Sequence, residues 1–145
     1  MARMKLELPE KWQFSTKVEV RVTDLNYGNH LANQQFLAFA QIARLKYFSQ
    51  FGYNELDFGG VSLIQADAAI TFKSEGHLND VVRIDISAVQ AGSSSFNVFY
   101  RFWNETKDCL MAELRTAIVC YNYQTKKPIG IPENVLASGL LMQAD

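Results

Sequence analysis

The sequence predicts an α+β domain in which a curled antiparallel sheet wraps around one long central helix. Three observations carry this reading. A single stretch, QQFLAFAQIARLKYFSQFG, has a helical apolar pattern that covers most of its circumference. Several other stretches alternate as strands do, and the breaks between the later ones are too short for crossover helices. At 145 residues, with 48% apolar and 12% aromatic composition, the chain supplies one domain with a sizeable core, which excludes disorder.

In chain order, TKVEVRV (residues 16–22) sets Val18, Val20 and Val22 on one face and Lys17, Glu19 and Arg21 on the other, as a half-buried strand does. DLNYGNHLANQQFL follows, where the strand should stop and the helix start. Asn33 is a good N-cap and Gly52 a good terminator, giving a helix of about 18 residues, roughly 27 Å long. Four strands come next: ADAAITFK, DVVRIDISAVQ, SSFNVFYRFWN and CLMAELRTAIVCYNY, with SEGHLN, AGS and NETKD as their breaks. These short connections imply antiparallel neighbours. The second and third of the four face the core with Val82, Ile84, Ile86 and Ala88, and with Phe96, Val98, Tyr100 and Phe102. The last is long enough to bend around the helix. From Lys126 onward, with Pro128 and Pro132, the tail reads as a surface extension. The element order is β-α-β-β-β-β.

Charge and cysteine usage narrow the function. Lys plus Arg number 14 against 15 Asp plus Glu, a net charge of −1, with no like-charge run to bind nucleic acid or a membrane surface. No stretch approaches the roughly 20 apolar residues that span a bilayer, and MARMKLELPEKW lacks a signal peptide's apolar segment, so a cytoplasmic protein is expected. Cys109 and Cys120 share one strand, where eleven steps of about 3.4 Å hold them roughly 37 Å apart, and they read as reduced thiols. The two histidines and these cysteines offer no metal-ligand spacing, and no G-x-S-x-G elbow is present.

The junction RVTDLNYGNHLANQQFLAF resembles that of the 4-hydroxybenzoyl-CoA thioesterase-like family, commonly written R-x-x-D-x-D-x-x-G-H-V-N-N-x-x-Y-L. Arg21, Asp24, His30, Asn33 and Leu37 fit it without a gap. It is also similar to the D-L-D-x-N-x-H-V-N-N junction of plant acyl-carrier-protein thioesterases. With the element order, the resemblance covers the chain from about Thr16 to Tyr123. It implies a hotdog fold and an acyl-CoA or acyl-carrier-protein thioester as partner, with no cofactor or metal needed. It also implies a homodimer or dimer of dimers with sites between subunits. The thioester carbonyl would meet the backbone N–H of Asn33 or its neighbour, where the helix dipole favours developing negative charge. Gly28 would let the chain pass close to the substrate.

One departure from the family matters. The second carboxylate of D-x-D, the nucleophile or general base, is Asn26 here, and an amide accepts no proton near neutral pH. The base must lie elsewhere. His30 is the first candidate, an imidazole placed just ahead of the helix. Glu75, in TFKSEG, stands where the plant enzymes carry a catalytic Glu in an R-R-E-C corner. Asp24 would orient from the face it shares with Asn26 in an extended segment. Tyr27 and Asp67 complete the substrate-binding candidates.

Structural roles compete with each assignment. Asp24 suits a turn cap, His30 a group satisfying backbone amides, Asn33 a plain N-cap, Glu75 an exposed turn carboxylate and Asp67 a solvated outer face. His77 reads as a surface turn residue. Acyl-CoA hydrolysis is the leading function. The alternative is a catalytically silent hotdog protein that binds acyl thioesters or serves in assembly. A hotdog dehydratase comes third, because its dyad motifs are not found.

Overall fold

The computed structural model describes residues 3–144. Strands β1 (Phe14–Glu19), β2 (Ser62–Phe72), β3 (Val81–Gln90), β4 (Ser95–Asn104) and β5 (Cys109–Asn122) form one antiparallel sheet ordered β1-β3-β4-β5-β2. Helix α1 (Asn33–Ser49) lies in its concave face, which is the predicted hotdog architecture. The helix buries Phe36, Phe39, Ala40, Ala43, Tyr47 and Phe48 against Val82, Ile84, Ile86, Ala88, Phe96, Val98, Tyr100 and Phe102, the two strand faces expected from alternation. Its other side, with Leu37, Ala38, Gln41 and Leu45, remains exposed.

The helix ends differ unequally from expectation. The N-cap is Ala32, without a side-chain cap, and Asn33 is the first helical residue. At the other end Gly52 works as expected. At φ 81° it turns the chain, with Tyr53 N–H bonding Phe48 O and Gly52 N–H bonding Ser49 O, the Schellman closure.

Three expectations are corrected. Strand β1 ends at Glu19, so Val22 falls in a 3-10 turn (Val22–Asp24) and is 71% exposed rather than core-facing. The tail is not a surface extension. Strand β6 (Lys127–Pro128) pairs with β5, helix α2 (Glu133–Ser138) buries Val135, and Leu140 is buried where its carbonyl takes the Tyr47 hydroxyl at 2.6 Å. Finally, SEGHLN does not join neighbours. Strand β2 pairs with β5, whereas β3 pairs with β1 and β4, so residues 73–80 cross between opposite sides of the curled sheet. The crossing is anchored at both ends, by Lys73 N–H to Met111 O and Asn79 N–H to Val20 O. It passes over the end of the sheet where the helix begins.

Candidate active site

Asp24 builds the junction from beneath. Its fully buried carboxylate accepts from Arg21 N–H (2.8 Å), Arg21 Nε (3.2 Å), Arg21 Nη2 (3.1 Å) and Gln35 Nε2 (3.2 Å). Four donors occupy about four lone-pair sites, which leaves no oxygen to accept a proton. Its backbone carbonyl receives Ala32 N–H at 3.0 Å, tying the strand exit to the helix entry. Burial pushes this carboxyl up, but the hydrogen bonds and charge of Arg21 outweigh it and hold the group below the usual carboxylate range. Asp24 is thus a positioning group inside the protein.

Asn26 holds the loop above it. Its Oδ1 accepts Gly28 N–H at 2.9 Å and His30 N–H at 3.4 Å, and its own N–H reaches His30 O at 2.9 Å. That Asx turn spends the amide on backbone. A Cβ at Gly28 would lie 3.2 Å from the His30 ring and 3.3 Å from Asn26 Oδ1, so this glycine leaves room for His30. Tyr27, at the tip of the turn, is fully exposed.

The crossing segment then delivers Glu75. Leu31 N–H donates to Gly76 O at 2.7 Å, and a Cβ at Gly76 would sit 2.7 Å from Met111 Cε and 3.2 Å from Leu31 Cβ, so a side chain here would have to displace the end of Met111 and press on Leu31. As a result Glu75 Oε1 lies 3.7 Å from His30 Nε2 and its Oε2 lies 3.9 Å from His77 Nε2. The two imidazoles meet edge to face at 6.1 Å. His77 sits in the exposed turn that was expected. Its place beside Glu75 was missed, because a lone turn histidine carries no periodicity. Its Nδ1 meets Lys107 Nζ at 2.5 Å, and Lys107 also pairs with Asp80 at 3.1 Å.

Helix α1 starts beside this pair. Ala32 N–H is taken by Asp24 O and Gln35 N–H by Ala32 O, while the amides of Asn33 and Gln34 have no acceptor among the described residues. Two free N–H groups at the positive end of a 17-residue helix form a donor site for an oxyanion. Asp67 stands apart. It pairs with Arg115 at 2.9 Å, and its register partner Ala117 belongs to the outer face of β5, because the alternate residues Thr116 and Ile118 are buried. Among the described residues no group of three His, Cys, Asp or Glu side chains is placed to hold a metal, and no helix is long and apolar enough to cross a membrane.

Acid should loosen both supports of this site. Asp80 is buried, which raises its carboxyl, but bonds from Asn104 and the His77 N–H together with Lys107 bring it below the ordinary range, as for Asp24. Groups depressed on folding contribute stability above their unfolded value, about 3.9, and lose it as pH falls through the folded value. Urea unfolding is expected to show stability falling below about pH 4, with a shallower fall in Asp80→Asn. An unchanged slope in that variant would remove Asp80 from the account.

The comparisons with known proteins agree with this architecture. The structure superposes on the 1,4-dihydroxy-2-naphthoyl-CoA thioesterase Slr0204 of Synechocystis with a TM-score of 0.80, at 20% identity, over 86% of this chain and 93% of that one. It superposes on the probable thioesterase YbaW of Escherichia coli with a TM-score of 0.73, at 18% identity, over 87% and 96%. The Staphylococcus aureus protein SAV2348, solved in complex with CoA, gives a TM-score of 0.78 at 15% identity, over 91% and 85%. At these identities the likeness shows the fold. No curated protein matches the chain in sequence. The model of the thioesterase-like superfamily, however, matches residues 20–139, which includes both the junction and the crossing segment. The chain belongs to the thioesterase-like superfamily.

Proposed function

We propose that the protein hydrolyses acyl-CoA thioesters in a cytoplasmic homodimer, or a dimer of such dimers. The observation that carries this reading is the approach of His30 to Glu75 beside the free first-turn amides of α1. The thioester carbonyl oxygen binds the Asn33 and Gln34 N–H groups. Water attacks the carbonyl carbon while the His30–Glu75 pair takes its proton. The tetrahedral intermediate then expels the coenzyme A thiolate as the C–S bond breaks, leaving the free acid. Asp24 and Asn26 hold the loop, and Tyr27 flanks its mouth. Asp67, on the outer face, has no part in these steps. No cofactor is required. The superfamily membership, the likeness to Slr0204 and the CoA held by SAV2348 support coenzyme A as the carrier.

The acyl group lies against the exposed surface that α1 (Leu37, Gln41, Leu45) and β2 (Ala68, Ile70, Phe72) present side by side. A second subunit covers it. Among the described residues the outer edge of β2 has no partner strand, and four successive residues, 65–68, are exposed there. Thiol release from a panel of short, long and aromatic acyl-CoA esters is expected to exceed background for at least one member, and light scattering to give a dimer. Binding by calorimetry with no release would favour the catalytically silent alternative. A micromolar monomer would count against a shared site.

A further inference from the structure

Glu75 has a second histidine on its far side. The turn 77–80 is closed by Asp80 N–H on His77 O at 3.0 Å and by His77 N–H on Asp80 Oδ2 at 2.9 Å. The buried Asp80 carboxylate also takes Asn104 Nδ2 at 2.9 Å and pairs with Lys107 Nζ at 3.1 Å, while Lys107 N–H donates to Asn104 Oδ1 at 3.0 Å. Buried groups thus lock the crossing segment to the turn between β4 and β5, and none of these bonds uses the His77 ring. The polar and aromatic partners of that ring among the described residues are Lys107 Nζ at Nδ1, Glu75 Oε2 at 3.9 Å from Nε2, and the edge-on ring of His30.

The partner at Nδ1 decides what the ring does. An ammonium has three donors and no acceptor, so Nδ1 is the accepting nitrogen and the ring proton sits on Nε2. That N–H faces Glu75 Oε2, while Oε1 of the same carboxylate faces His30 Nε2 at 3.7 Å. Both approaches are longer than hydrogen bonds, as catalytic contacts commonly are before a substrate arrives, and rotation of the exposed Glu75 side chain can shorten them. A glutamate on an exposed turn is otherwise free among its rotamers and would face His30 only part of the time. A donor on one oxygen restricts that freedom and leaves the other oxygen for the base. With its Nδ1 lone pair spent on Lys107, His77 has no site to take a proton, so the two histidines have separate tasks.

Resting on the reading of the protein as an acyl-CoA hydrolase, we infer that His77 is a positioning residue, fixed by Lys107, whose Nε2–H turns Glu75 towards His30. His77 keeps its own proton throughout, and the proton of the attacking water goes to the His30–Glu75 pair. The probes are short, long and aromatic acyl-CoA esters, with kinetics on the one that the wild type cleaves fastest. His77→Ala should lower kcat about tenfold with KM unchanged, the split expected when only the transition state uses an interaction. His77→Gln, whose amide N–H can stand in for Nε2–H, should recover most of that loss. On a Glu75→Gln background His77→Ala should cost less than about twofold, because no carboxylate is left to position. Nitrogen NMR of the two histidines should find the His77 proton on Nε2, and Lys107→Met should release it to both ring positions. A wild-type kcat in His77→Ala overturns the inference and leaves the hydrolase standing. So does a tenfold loss that recurs undiminished on the Glu75→Gln background, the mark of a merely structural part, or a His77 proton found on Nδ1. If the wild type cleaves no ester, the hydrolase reading fails and takes this inference with it.

Discussion

Glu75→Gln lowers acyl-CoA turnover by about 10²-fold or more, the loss expected when a general base disappears, and His30→Ala does so by a similar factor. The Gln variant keeps the shape and hydrogen-bonding reach of the side chain and removes only its charge. Glu75 is well exposed and makes no buried contact, so folding should be untouched. Because the two side chains face each other at 3.7 Å and act as a unit, the double variant should lose little more than either single one. Asn26→Asp separates the alternatives. In a working site it keeps the loop, because a carboxylate accepts the Gly28 and His30 N–H groups as the amide does, and it gives no gain. In a silent site it supplies the carboxylate that the family pattern has there and raises hydrolysis from background. Measurable hydrolysis that survives both Glu75→Gln and His30→Ala would sink the assignment of the base.

Phe48→Ala costs about 3–5 kcal/mol of stability, the largest effect expected of a single substitution away from the site. The ring is fully buried, 5.1 Å from Phe58 and 6.2 Å from Phe96, and its backbone carbonyl receives Tyr53 in the turn that ends α1. Truncation empties the place where the helix exit, the 53–61 loop and β4 come together. Chemical denaturation should report the loss with an unchanged denaturant slope. A cost below about 1 kcal/mol would mean that Phe58 and Phe96 close the gap by themselves.

The central helix and the inner faces of β3 and β4 were legible because burial imposes periods that a sequence displays directly. The rest depended on contacts between distant residues. A short polar connector such as SEGHLN looks the same whether it turns a hairpin or crosses a strongly curled sheet, and the curvature is a property of all the strands together. Pro128 and Pro132 suggested an exposed tail, yet Val135, Leu140 and Leu141 in that same tail are buried. Arg44 broke an apolar pattern without revealing that Glu55 and Tyr100 were waiting for it. In the site, family resemblance pointed to His30 and Glu75, and the crossing explains how residues 45 positions apart come together. No sequence pattern shows that the partners of Asp24 and Gly28 lie within the protein, or that Asp67 pairs with Arg115 on the outer face.

The sheet order also bears on synthesis. Strands β1 and β2 both need partners made later, since Phe14 pairs with Ile86 and Leu63 with Cys120. When Phe72 leaves the ribosome, the helix and both of its flanking strands exist with no sheet to receive them. The β3-β4-β5 meander that completes the ladders ends 50 residues later, at Asn122. At ordinary elongation rates of about 5–20 residues per second, that is a wait of about 3–10 s. During it the Phe-rich helix and the two unpaired strands are a natural client for chaperones that shield nascent apolar segments.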